Sequence, residues 1–255
     1  MKLIGNIAYG AHESQKLDLH LPDSNEFYAV VFIHGGGLEH GDKANDKLHF
    51  GHLVSKGYAV VAPNYRMYPD AKYPEYVEDA AAAVAWAFEH LNEYGKCMGI
   101  FVGGSSAGGY LSMMLCFDKR WLAPYGIKPT DVIGWLHIAG QPTCHFNYLK
   151  YDRATDSRRV IVDETAPLYH IGEDEEYSPM LFTVSDNDMK NRYEQTMLVL
   201  STMKHFGHEN KTELKLFHGT HCQYHKQSNE NGENLLGIAE CEFMEKVIKK
   251  NSLFT

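Results

Sequence analysis

The stretch GIFVGGSSAGGYL, residues 99 to 111, restricts the fold more than any other part of the chain. The apolar, β-branched run Ile100–Val102 reads as a buried strand, and Tyr110–Phe117 is compatible with a helix. A chain that passes from strand to helix over so short a distance holds its turning residue in a strained backbone conformation. It also needs neighbours nearly free of side chains, so that strand and helix can approach. Gly104-Ser105-Ser106-Ala107-Gly108 meets that demand in one register of the pattern G-x-S-x-G, with Ser106 at its centre. Centring on Ser105 would put Ala107 where the second glycine belongs. Ser106 is therefore the candidate nucleophile. The competing reading of the same residues is a glycine-rich turn that binds a phosphate or nothing.

A second glycine cluster, His34-Gly35-Gly36-Gly37, follows the buried run Tyr28–Ile33. Consecutive glycines let backbone N–H groups face a cleft without side-chain obstruction. Fixed donors of that kind stabilise the oxyanion of an acyl-transfer transition state, and losing one costs about 2.7–4 kcal/mol in barrier. Gly36, Gly37 and the amide of Ala107 are the candidates. On its own a run of glycines signals only a flexible loop; ahead of a nucleophile elbow it is specific.

Around these two points, strand and helix patterns alternate. Lys16–Leu21 alternates apolar and polar residues, as an exposed edge strand does. Tyr28–Ile33, Tyr58–Ala62, Ile100–Val102, Val132–Ile138, Met180–Val184 and Leu214–Phe217 continue the strand series. Helical patterns cover Pro74–Leu91, Asn191–Phe206 and Leu235–Lys250. The alternation predicts an α/β fold, a mostly parallel sheet with helices on both faces, and one domain over residues 1–255. Residues 141–178 break the rhythm and read as a cap-like insertion over one end of the sheet, either a solvated excursion or a cover for substrate. The formal net charge of −9, with no run of Lys or Arg longer than a pair, argues against nucleic acid and anionic membranes as partners. Five scattered cysteines without a CxxC pair imply free thiols. With no signal-like or membrane-length apolar segment, these features point to the cytoplasm, and a homo-oligomer is compatible with them.

The pair HGGG (34–37) and GSSAG (104–108), with Gly41-Asp42-Lys43 and Asn64-Tyr65-Arg66, resembles the α/β-hydrolase fold. Within it the chain is similar to carboxylesterases of the hormone-sensitive-lipase type and to small bacterial acyl or acetyl esterases. The resemblance covers nearly the whole sequence. It departs at Leu38, where many relatives carry an aromatic residue, and in the 141–178 segment. It implies the chain order Ser, then Asp or Glu, then His, each on a loop after a late strand. The acid matches Asp188 in Ser185-Asp186-Asn187-Asp188, with Asp186 as the alternative. The base matches His221 in His218-Gly219-Thr220-His221, with His218 as the alternative. His34 reads as a structural member of the glycine loop.

Among 15 histidines, His221 and His225 also stand at a metal-compatible spacing, but no HExxH pattern accompanies them. The expected chemistry therefore needs neither metal nor organic cofactor. In the fold that the chain resembles, Tyr65, Tyr68 and Tyr73, and Phe146, Tyr148 and Tyr151 in the insertion, lie on segments that rise on the site's side. Their faces suit sugar rings, a planar acyl group or an aryl amide, and ordinary packing explains them as well; Leu38, Tyr65 and Tyr68 are the substrate-contact candidates. The expected activity is cleavage of short-acyl esters, such as acetyl groups on sugars. The alternatives are an arylformamidase-type amidase and a ligand-binding relative without turnover.

Overall fold

The computed structural model describes residues 2–252. Eight strands, β1 (Lys2–Ala8), β2 (Lys16–Leu21), β3 (Glu26–Ile33), β4 (Tyr58–Pro63), β5 (Lys96–Ser105), β6 (Gly134–Ile138), β7 (Met180–Ser185) and β8 (Thr212–Phe217), form one sheet. Their order is β1-β2-β4-β3-β5-β6-β7-β8. The β1–β2 and β2–β4 pairs are antiparallel, and every later pair is parallel. Parallel neighbours require crossovers. Helices α1 (Lys47–Ser55), α2 (Glu75–His90), α3 (Ala107–Phe117) and α5 (Arg192–His205) lie in four of the five crossovers, and the fifth, from β6 to β7, runs through residues 141–178. The short α4 (Phe146–Tyr151) lies in the 141–178 segment, and α6 (Leu235–Ser252) follows the last strand.

The continuous apolar strands are buried on both faces, as their composition implies. Alternate residues of β3 enter two separate cores. Phe27, Ala29, Val31 and Ile33 join Val77 and Val84 of α2 and Leu111 and Met114 of α3. Val30 and Phe32 join Phe50 and Leu53 of α1 and Leu236, Phe243 and Met244 of α6. Each such side chain removed from water contributes roughly 1.5–3 kcal/mol, so the two layers hold the sheet as a rigid platform.

Two expectations need correction. Lys16–Leu21 has the anticipated alternation but is no edge strand, because β1 pairs outside it. Its polar face is covered as well: Asp18 accepts a 2.8 Å bond from Lys43, and the His20 ring packs against Phe50. The sequence patterns also omitted β1, α1 and α4. β1 is broken by a register shift between Ile4 and Ile7 at left-handed Asn6, which disguises its period. In α1, Gly51 and two histidines dilute the helical signal.

Residues 141–178 hold α4 and a single turn of 3₁₀ helix at Pro167–His170. The segment is fastened to α3 by a 2.8 Å bond from Tyr110 Oη to the carbonyl of Thr165. A second fastening runs from Asn147 to the loop after β3.

Candidate active site

Ser106 stands between β5 and α3 with φ 55° and ψ −108°. For a residue with a side chain this conformation costs on the order of 1–3 kcal/mol and persists only because its surroundings over-determine it. The glycines around it are packing requirements. A Cβ on Gly108 would lie 1.9 Å from the carbonyl oxygen of Ile33, and one on Gly104 would lie 2.6 Å from the same atom. The elbow is thus pressed onto the end of β3. Gly35, just beyond that strand, has equally little room, since a Cβ there would meet Ser105 O at 2.9 Å.

Three side chains from three loops form one hydrogen-bonded line. Ser106 Oγ lies 2.8 Å from His221 Nε2, and His221 Nδ1 lies 2.5 Å from Asp188 Oδ1. The Asp188 side chain is fully enclosed, whereas His221 keeps 23% of its side-chain surface. Burial alone would raise the Asp188 carboxyl. The hydrogen bond and charge of His221, with the amides of Met189 and Ser185, outweigh burial and hold it below the usual carboxylate range. With Nδ1–H donated to that carboxylate, Nε2 is the atom that can accept a proton from Ser106.

The two alternatives pair with each other instead. His218 Nδ1 bonds Asp186 Oδ2 at 2.6 Å, and the His218 side chain is 96% exposed. The ring of His225 turns away from His221 to Asp46, with Nδ1 3.3 Å from Oδ1, so the two histidines serve different partners.

The glycine loop after β3 has φ values of 123° at Gly36, 67° at Gly37 and 64° at Leu38. The left-handed Leu38 costs about 1–2 kcal/mol, a local strain held by the packing of its side chain in the core. The amides of Gly36, Gly37 and Ala107 have no protein acceptor among the described residues. The motifs nearby brace this loop. Asn64 Nδ2 donates to Asp42 and Asn64 Oδ1 accepts the amide of Lys43, while Arg66 grips Asp79 and Glu75 of α2.

Comparison with known proteins fits this architecture. Residues 17–121 match the BD-FAE family model. LipN of Mycobacterium tuberculosis, a carboxylic ester hydrolase, is 42% identical over 110 residues, which make up 42% of this chain and 29% of LipN. A kynurenine formamidase of Salmo salar is 29% identical over 126 residues, or 49% of this chain and 41% of that enzyme. The chain thus spans less than half the length of either relative. In three dimensions, the crystal structure of esterase B from Lactobacillus rhamnosis superposes with a TM-score of 0.81 at 17% identity, covering 99% of this chain and 87% of esterase B. The chain has the α/β-hydrolase fold.

Within this fold the three substrate-contact candidates occupy other places. Leu38 is fully buried in the core. Tyr65 is 1% exposed; its ring stacks on His34 and its hydroxyl donates to the carbonyl of His34 at 3.0 Å. Tyr68 is buried and its hydroxyl bonds Asp152. Tyr65 braces the glycine loop through His34, Leu38 anchors that loop in the core, and Tyr68 holds the 141–178 segment through Asp152; a loop aromatic can turn inward as readily as outward. His34 is structural, its Nδ1 donating to Gly35 O at 2.7 Å, and burial lowers its basicity.

Glu39 and Asn147 were missed by sequence reasoning, and Tyr151 was read only as one of the aromatic residues of the insertion. Asn147 Nδ2 reaches Gly37 O and Glu39 Oε2, and Tyr151 Oη donates to Glu39. The four-residue spacing of Asn147 and Tyr151 on α4 was the only available signal. Among the described residues, no group of three or more His, Cys, Asp or Glu is arranged to hold a metal, and no helix is long and apolar enough to cross a membrane.

Proposed function

We propose that the protein is a serine esterase acting on small carboxylic esters through an acyl-enzyme. The observation that carries this reading is the unbroken line from Ser106 Oγ through His221 to enclosed Asp188. Ser106 attacks the ester carbonyl as His221 Nε2 takes its proton, and the negative charge that develops on the carbonyl oxygen is met by the amides of Gly36, Gly37 and Ala107. The C–O bond to the alcohol then breaks, with the alcohol leaving protonated by His221. Water attacks the acyl-enzyme by the reverse route, and Ser106 recovers its proton. Asp188 remains ionised throughout and holds the imidazole in the tautomer that presents Nε2 to the serine.

Residues 141–178 act as a short cap on this site. Support comes from Phe146, whose ring carbon lies 3.4 Å from where a side chain on Gly37 would begin. A half-buried aromatic so near the glycine loop narrows the space beside it, which favours a short acyl group such as acetyl, including one carried on a sugar, over a long chain. A second reading, hydrolysis of an aryl formamide, is favoured by the similarity to the Salmo salar kynurenine formamidase. Turnover of p-nitrophenyl esters of rising chain length, acetylated sugars and N-formylkynurenine tests both. The ester reading expects p-nitrophenyl acetate to be cleaved faster than butyrate or longer esters. Higher kcat/KM for N-formylkynurenine than for every ester would transfer the assignment to the amidase reading. A fluorophosphonate should label the wild-type protein and leave S106A unlabelled; full labelling of S106A would remove the nucleophile.

A further inference from the structure

The five carbonyls from His34 to Leu38 are all committed. Tyr65 Oη donates to His34 O at 3.0 Å, and His34 Nδ1 donates to Gly35 O at 2.7 Å. The amides of Glu39 and His40 donate to Gly36 O at 3.1 Å each, and the amide of Tyr68 donates to Leu38 O at 2.8 Å. These ties come from the loop itself or from the neighbouring loop after β4. The carbonyl of Gly37 is different: its partner, at 2.5 Å, is Nδ2 of Asn147 on α4. Gly37 is also the residue least able to hold itself, since a glycine rotates cheaply among backbone conformations and nothing in its own side chain fixes ψ.

Asn147 is built to stay in place. It is 2% exposed, and its backbone amide donates to Nδ1 of His145, the N-cap of α4, at 3.2 Å. That bond requires a neutral imidazole, and burial together with the charge of Arg192 lowers His145 to about 3. The side-chain amide donates a second bond to Glu39 Oε2 at 2.7 Å, and the other Glu39 oxygen accepts from Tyr151 Oη, with Lys150 Nζ 3.6 Å away. Asn147, Lys150 and Tyr151, spaced three and four residues apart, share one face of α4 and grip the loop together.

We propose that Asn147 is a positioning residue: by holding Gly37 O it fixes ψ of Gly37 and anchors the glycine loop on the far side of the Gly36–Gly37 peptide, whose N–H is an oxyanion donor and whose own carbonyl is tied by Glu39 and His40, so that the loop is set before substrate arrives, with Glu39 and Tyr151 as support. The inference rests on the esterase reading of Ser106. Without the tie, ψ of Gly37 is free and the loop shifts in the resting enzyme, carrying the Gly36–Gly37 peptide with it; restoring its place falls on the transition state rather than on substrate binding.

The test is steady-state kinetics of Asn147→Ala on p-nitrophenyl acetate, with inhibition by a trifluoromethyl ketone measured in parallel. The ketone forms a tetrahedral adduct on a serine and so reads the oxyanion donors. A fall in kcat of roughly 10- to 100-fold is expected, with KM within about twofold. The inhibition constant should rise by the same factor as kcat/KM falls. Tyr151→Phe should give a smaller loss in the same direction. If Asn147→Ala does not fold, Asn147→Ser, which is too short to reach Gly37 O, replaces it. Wild-type kcat in the folded variant, a loss confined to KM, or a loss of kcat without weaker ketone binding would each overturn the proposal. S106A run alongside separates the two levels: inactive S106A with unchanged Asn147→Ala sinks the positioning role alone, whereas active S106A sinks the esterase reading as well.

Discussion

His49 and Glu240 meet between α1 and α6 with both side chains fully enclosed, whereas at the C-terminal ends of the parallel strands Asp188 is enclosed and His221 remains 23% exposed. Both couples are imidazole–carboxylate hydrogen bonds, so the bond itself does not distinguish a reactive site from a brace. The difference lies beyond the imidazole. Nδ1 of His49 has no partner among the described residues, and the ring packs edge-on against Phe32. The second ring nitrogen of His221 faces a strained serine, whose neighbour Ala107 has an amide with no acceptor among the described residues. A carboxylate shut away from water with an imidazole open on its far side is an arrangement for moving a proton. The same pair closed at both ends joins two helices.

Substitution in the open couple should break activity and spare folding. S106A or H221A is expected to lower kcat on p-nitrophenyl acetate by about 10⁴- to 10⁶-fold, because members of such a line act as a unit. D188N should cost about 10⁴-fold, since an amide supports the wrong imidazole tautomer. Circular dichroism of all three should match the wild type. A D188N enzyme with more than a tenth of normal kcat would mean that the enclosed carboxylate does not orient His221, and the contrast with Glu240 would lose its basis.

The reverse pattern is expected for the closed couple. E240Q leaves His49 with a poorer partner inside the core, and a buried polar group left badly paired typically costs about 1–3 kcal/mol. For a chain of this size that is a midpoint lower by roughly 5 °C in thermal unfolding, with kcat of the folded fraction within twofold. An E240Q protein that melts normally and turns over slowly would make the two couples functionally alike.

How much of this was legible in the sequence depends on the distance over which each constraint acts. Ser106 and the glycine loop could be read directly because their requirements are local: a tight turn and close backbone approach select glycine within a few positions. Asp188 and His221 are 33 residues apart, and no local rule pairs them; their positions followed only from the resemblance. Leu38, Tyr65 and Tyr68 were placed against substrate from their positions in the resembling fold, after the glycines and after a strand end, and such a position carries no information on which way a loop side chain turns. Helix α4 was invisible because six residues with aromatic members show barely two turns of any period, although its Asn147 reaches the heart of the site.

Asp188 also sets a pH signature. Its folded-state value is depressed, so it contributes stability that is fully present above the unfolded carboxylate value and is lost as pH falls through the lower folded value. Thermal unfolding followed from pH 6 to pH 3 should therefore show a steeper acid decline in the wild type than in D188N. Equal slopes would mean that His221 and the two amides do not favour the ionised form.

The smallest effect is expected where an imidazole and a carboxylate are both open to water. His218 and Asp186 sit on the same two loops as His221 and Asp188, at a similar bond length, yet the His218 side chain is 96% exposed. Solvent and salt screen such a pair, and Asp186 is also satisfied by the amide of Gly219, so the loop does not depend on the imidazole. H218A should keep kcat/KM within twofold and leave the melting midpoint unchanged, set beside the loss in H221A three residues away. A large rate loss in H218A, with the fold intact, would show that the exposed pair orients the turn carrying His221, and enclosure of the acid would then no longer separate the working couple from its neighbour.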